Sequence, residues 1–198
     1  QTFGSEKITV ALEGHGREEI FEDVDIKRTV GWFTVVYPVV LDFSHNTRGQ
    51  DTGRQIKEIK EHLRRIPSKG IGYGILKYLT APRHKEGLHF TLKPQLIFNY
   101  LGQFDEDLRA AGYEKSSYST GRSRSPESEG THPININGVV EGGRLQFTIR
   151  GDGRRVEEGQ MRILANSYKN NLQKIIAHCR EVAEPGYTPS DYEAQGLD

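Results

Sequence analysis

The spacing of apolar positions changes several times along the chain, and each change marks a predicted element. Lys7–Leu12 (KITVAL) is a short β-rich run that ends at Glu13 and Gly14. The acidic stretch Glu18–Asp25 reads as a solvated connection, and Phe33–Phe43 (FTVVYPVVLDF) is the most β-prone segment. Pro38 interrupts it and has no amide proton for a ladder, so this strand is expected at an edge or with a bulge. The period then lengthens. Ile56, Ile59, Leu63 and Ile66 recur on one helical face between a cap at Asp51 or Thr52 and the terminating Pro67. A shorter helix is expected over Gly72–Leu79, a loop over Ala81–Gly87 and a buried strand over Gln95–Leu101.

In the second half, Ile134–Val140 and Arg144–Arg150 flank Glu141-Gly142-Gly143, whose glycine pair supplies the positive φ angles of a tight hairpin turn. A long amphipathic helix follows over Val156–Val182. Leu164, Tyr168, Leu172, Ile175, Ile176 and Cys179 fall on or near one stripe, which assigns Cys179 to the core and not to chemistry. Between these halves Ala110–His132 is rich in Ser, Gly and charge and reads as a long loop without a catalytic part. The tail from Glu184 has no periodicity. The expected organisation is an α/β lobe over residues 1–183 with a linker over 184–198.

Composition narrows the partners. At 198 residues the chain can bury a core without disulfide or metal support. Lys plus Arg and Asp plus Glu each total 27, a balance that argues against a nucleic-acid partner. The single Cys179 excludes an internal disulfide and fits a reducing, cytoplasmic setting. No apolar run is long enough to span a bilayer and no basic-then-apolar start marks export, so no membrane role is expected. His15 has no second His or Cys at ligand spacing, so no metal is expected either.

Four strings fit none of these periodicities: EGHGRE at Glu13–Glu18, RTVGWFTVVYP at Arg28–Pro38, PSKGIGYG at Pro67–Gly74 and FNYLGQ at Phe98–Gln103. Glu13 stands at a strand end between apolar residues and glycines, where a carboxylate can project into a pocket as an acid or base. The alternative is a surface Glu paired with Arg17 or Arg28. His15 can assist proton transfer or fix the loop through a backbone hydrogen bond, the latter favoured. Arg28 can hold an anion or line a tunnel, whereas Trp32 and Phe33 are expected to pack. Asn99 and Tyr100 carry an amide and a phenol that can donate to a developing oxyanion, or Tyr100 can be a buried residue satisfied by backbone. The glycines of PSKGIGYG suit a turn that approaches another backbone or a slender ligand.

In order and content the four strings resemble the epimerization domains of nonribosomal peptide synthetases, relatives of the condensation domains in those assembly lines. The resemblance runs from about Lys7 into the tail, where TPSDY (Thr188–Tyr192) is similar to the linker that follows such domains. It implies a chloramphenicol acetyltransferase-like α/β lobe, a mixed sheet with helices packed on it, equivalent to the C-terminal half of a two-lobed domain. It implies that Glu13 is the acid/base glutamate, with Tyr100 or Asn99 holding the thioester oxygen or relaying protons, and Arg28 and His15 supporting Glu13. The implied substrate is an aminoacyl or peptidyl thioester on the 4′-phosphopantetheine arm of a carrier protein, with no cofactor bound directly. The implied partners are that carrier, the N-terminal lobe and the neighbouring synthetase domains. The N-terminal lobe of the family carries an HHxxxDG-type string, and none of the seven His residues here has a His neighbour. This chain alone is therefore expected to be inactive. Two alternatives stand beside this reading: a non-catalytic docking lobe for a carrier protein, and a lobe of an amide-forming condensation domain. The catalytic reading further predicts one concave polar face bearing Glu13, Asn99 and Tyr100 together.

Overall fold

The β-prone segments pair into one mixed sheet. In this computed structural model, which describes residues 6–44, 51–103, 108–114, 116–122, 125, 127–128, 130–182, 184 and 186–192, the strands are β1 (Lys7–Gly14), β2 (Val35–Asp42), β3 (Leu96–Gln103), β4 (Ile134–Glu141) and β5 (Arg144–Gly151). Their order is β2-β1-β3-β4-β5; both outer pairs are antiparallel and the two central pairs parallel. Pro38 sits on the edge strand β2 opposite Ala11, where no missing amide is felt by a further neighbour. The β4–β5 turn is the expected one, with Gly142 at φ 59° and Gly143 at φ 69°.

Alternation along the strands sorts side chains to two faces. Leu12 pairs with Phe98, Phe98 with Ile136 and Ile136 with Ile149, a continuous apolar row across four strands. The helical elements lie on this face: α1 (Thr52–Arg64), α2 (Ile71–Gly74), continuing into a π-helical stretch at Ile75–Leu79, and α3 (Glu158–Glu181). Asp51 caps α1 by accepting the Gly53 amide at 3.0 Å. A 3-10 turn at Pro67–Gly70 leads into α2 and brings Gly70, at φ 82°, against Tyr37; a Cβ there would lie 2.2 Å from the ring. The glycine-rich string thus meets an aromatic side chain of β2 at Gly70. On the other side α3 meets the sheet through Tyr168, 5.0 Å from Phe147 between ring centroids, and through Met161 over Gly151. The buried apolar core is Val10, Ala11, Val39, Ile97, Ile134 and Ile136.

Two packing expectations are corrected. Cys179 is exposed, because α3 touches the sheet through Met161 and Tyr168 in its first half; Ile175 and Ile176 in the later turns are also exposed. Trp32 is 92 % exposed and Val30 fully so, since they precede β2 in irregular chain that stands off the sheet. Phe33 is half-buried, with the Arg17 guanidinium 4.3 Å above its ring. Within the expected loop Ala110–His132, Ala110 ends a helical turn and the other described residues form neither helix nor strand; 115, 123, 124, 126 and 129 lie outside the described residues. In the tail, a capped 3-10 turn at Pro189–Asp191 rests on α1. Asp191 pairs with Arg64 at 2.6 Å and with Lys60, and Glu61 accepts from the Ser190 amide at 3.1 Å. Among the described residues no helix is long and apolar enough to cross a membrane.

Candidate functional site

Glu13 is the penultimate residue of β1, opposite Val36 of β2. It points away from the apolar row because its neighbour Leu12 belongs to that row. The carboxyl is half-buried, and it makes no hydrogen bond or ion pair to any described residue. Burial alone pushes its pKa above the ordinary value for a glutamate. The surface pairing with Arg17 or Arg28 does not form. Arg17 instead donates to the carbonyls of Ile26 (2.6 Å) and Gly31 (3.4 Å), pinning the loop ahead of β2. Arg28 is exposed and makes no contact of either kind to the described residues.

The chain just beyond Glu13 is held rigidly. The His15 Nδ1 accepts the Arg17 amide at 2.9 Å, which puts the proton of the neutral ring on Nε2, facing Glu18 Oε1 at 3.2 Å. Glu18, its side chain 17 % exposed, also binds Lys69 Nζ at 2.9 Å. Lys69 and Ser68 occupy left-handed backbone at φ 49° and 43°, a strained turn for two residues with side chains. Gly16, at φ 66°, lies so close to the Phe33 carbonyl that a Cβ would come within 1.7 Å of its oxygen. His15, Arg17, Glu18, Ser68 and Lys69 border an open cavity of about 580 Å³, a mixed-charge space that does not include Glu13. Here His15 fixes the loop.

Asn99 follows Phe98, the partner of Leu12, so the next position in register places it beside Glu13 on the same face. It is half-buried, and its amide is unbonded to any described residue. Tyr100 lies on the opposite face. It pairs with Gly138, and its ring stands 3.0 Å from where a Gly138 Cβ would be, beside Phe147. The sheet therefore brings Glu13 and Asn99 together and separates Tyr100 from them; adjacent residues of a strand cannot share a face. The bulge between Tyr100 and Gln103 comes after this point and does not reverse it.

Two residues of this face escaped the sequence reading. Asn137 pairs with Asn99 across β3 and β4, and its Nδ2 donates to Asn135 Oδ1 at 2.6 Å. The strict Ile-Asn-Ile-Asn alternation at 134–137 was the available signal, since it puts apolar and amide groups on opposite faces. Together the face offers a carboxyl with a raised proton affinity and amide donors in the adjoining strands. Such a set can exchange a proton and stabilise negative charge developing on an oxygen.

Comparisons with known proteins agree with this architecture. The family profile described as "Condensation domain" matches residues 1–197. The chain is 47 % identical over 201 residues to gramicidin S synthase 1 of Brevibacillus brevis, covering 98 % of this chain and 18 % of that protein. It is 45 % identical over 188 residues to surfactin synthase subunit 1 of Bacillus subtilis (strain 168), covering 95 % of this chain and 5 % of that one. The chain thus spans less than a fifth of these relatives. Among solved structures, the epimerization domain from the third module of tyrocidine synthetase B superposes with a TM-score of 0.77 at 43 % identity, over 88 % of this chain and 38 % of that one. A condensation domain that mediates chain release from the enacyloxin polyketide synthase superposes with a TM-score of 0.58 at 12 % identity, over 94 % of this chain and 35 % of that one, a likeness of fold alone.

Proposed function

The chain belongs to the condensation-domain family, and from that premise we propose that it forms one wall of the active site of a nonribosomal peptide synthetase epimerization domain. The substrate is an aminoacyl or peptidyl thioester on the phosphopantetheine arm of a carrier protein. The Cα–H bond breaks, its electron pair delocalises into the thioester carbonyl as an enolate, and the proton returns to the opposite face of the carbon. Glu13 exchanges that proton on its side of the site. Asn99 stands where an amide N–H can donate to the enolate oxygen. By the resemblance, a histidine of the other lobe serves the second face, and that lobe, the carrier and neighbouring synthetase domains are the partners.

The observation that carries this reading is the half-buried, unpartnered carboxyl of Glu13 beside the unbonded amide of Asn99. A structural glutamate at a strand end would be expected to pair with Arg17 or Arg28, and it pairs with neither. Similarity to the tyrocidine epimerization domain at 43 % identity favours epimerization over amide formation. The test is wash-in of solvent deuterium at the α-carbon of a carrier-bound thioester, catalysed by the intact synthetase domain containing this chain. Loss of wash-in on Glu13→Gln is expected. Undiminished exchange in that variant would overturn the assignment.

A further inference from the structure

Strand β4 reads INING from Ile134 to Gly138, and its isoleucines fill the core while its asparagines face the side that bears Glu13 and Asn99. Folding alone does not require three half-buried primary amides on a sheet whose other face is filled at equivalent rows by Leu12, Phe98 and Ile136. Their arrangement is specific. Asn137 and Asn99 are direct partners across the parallel β3–β4 pair, and Glu13 follows in the next strand. Thr148 continues the row on β5 as the partner of Asn137. With neighbouring strands about 4.8 Å apart, the row from Glu13 to Thr148 spans roughly 14 Å.

The amides are not equivalent. The bond from Asn137 Nδ2 to Asn135 Oδ1, 2.6 Å long, fixes which way the Asn137 group faces and leaves its carbonyl oxygen free to accept. The side chain of Asn99 makes no hydrogen bond to any described residue, and neither does that of Thr148. A chain lying across the strands therefore meets, one strand at a time, a carboxyl, an amide that can donate or accept, an oriented amide acceptor and a hydroxyl. Secondary amides, each with one N–H and one C=O, are the groups that such a row satisfies.

Resting on the epimerization reading, we propose that Asn137 extends the Glu13–Asn99 site into a track that holds secondary amides of the acyl thioester. Asn137 touches the substrate, and Asn135 is a positioning residue that acts through Asn137. Such amides come from two sources, the pantetheine arm and the peptide bond preceding the reacting residue. Both have the same hydrogen-bonding chemistry.

Binding separates the track from the reaction. Calorimetry on the intact domain would use a non-hydrolysable thioether of N-acetylalanyl-pantetheine, and two further probes lacking either the acetyl amide or the pantetheine amides. Asn137→Ala is expected to weaken the complete probe about tenfold. The effect should vanish with the probe that lacks the amide Asn137 holds, which identifies the source. Asn135→Ala is expected to weaken binding several-fold and Asn135→Asp, which keeps the acceptor for Asn137 Nδ2, to restore it. Thermal unfolding of each variant verifies its fold. Equal weakening for all three probes, or none with folded Asn137→Ala, overturns the track. Loss of deuterium wash-in only in Glu13→Gln addresses the epimerization reading separately, so either can fail without the other.

Discussion

Strand β4 places Ile134 and Ile136 on one face of the sheet and Asn135 and Asn137 on the other. On the first face each row is closed by a helix or an aromatic contact: Tyr37 by Gly70, Phe98 by Phe147, Phe147 by Tyr168. On the second, Ala11 and Ile97 are buried, but in the row of Glu13 the side chains on β1, β3, β4 and β5 are polar and in part unbonded. One backbone thus serves both. The difference teaches that burial explains the first face but not the row of Glu13 on the second, so chemistry should be sought where the burial account stops.

The comparison can be broken by substitutions whose effects ought to fall on one face only. Glu13→Gln should lower α-proton exchange by about 10²–10⁴-fold, the range for losing a general acid or base. Denaturant unfolding should show no loss of stability in the same variant; a destabilised protein would mean that Glu13 belongs to the fold. Ile136→Ala, on the opposite face, should cost about 2–5 kcal/mol in a urea titration because Ile136 is 3 % exposed at the centre of the core. Gly70→Ala should cost about 2 kcal/mol, from left-handed backbone and displacement of Tyr37, read as a lowered unfolding midpoint.

The smallest effect sharpens the contrast through pH. Burial raises the pKa of Glu13 in the folded protein, so the folded state binds its proton more tightly than the unfolded chain does. Its stabilising contribution is full below the unfolded carboxyl pKa and is lost as pH rises through the folded value. Relative to wild type, Glu13→Gln should therefore gain stability as pH rises above the ordinary carboxyl range. Asp191 has the opposite sign. Its bonds to Lys60, Thr188 and Arg64 hold its pKa well below the usual range, and its contribution is present above the unfolded carboxyl pKa and lost as pH falls. Asp191→Asn should therefore lose stability near neutrality and less in acid. Unfolding midpoints of both variants from acid to neutral pH give the two slopes.

Where burial dictates a residue, the sequence was readable. The strands, the capped helix α1, the Gly142-Gly143 turn and the edge position of Pro38 all follow from local spacing. Glu13 was legible because it ends an apolar run without continuing it. Cys179 and Trp32 were misplaced because an apolar stripe shows what can be buried, and long-range packing decides what is. Tyr100 shows a different limit: FNYLGQ reads as one functional string, yet strand alternation splits Asn99 from Tyr100. Asn137 was overlooked for the converse reason. Its strand served as half of a hairpin, and its partnership with Asn99 depends on a parallel pairing that no local pattern displays.

That parallel pairing also has a consequence in time. The β4–β5 hairpin closes over a two-residue turn, whereas β1 reaches β3 only after β2, α1 and α2 have intervened in the chain. Loop closure over such a separation is slow, and contacts distant in sequence form late in folding. Glu13 and Asn99 come from the two strands of this late pair. The half of the sheet that can form early contains neither residue, so their site comes into being only when the most distant strands join.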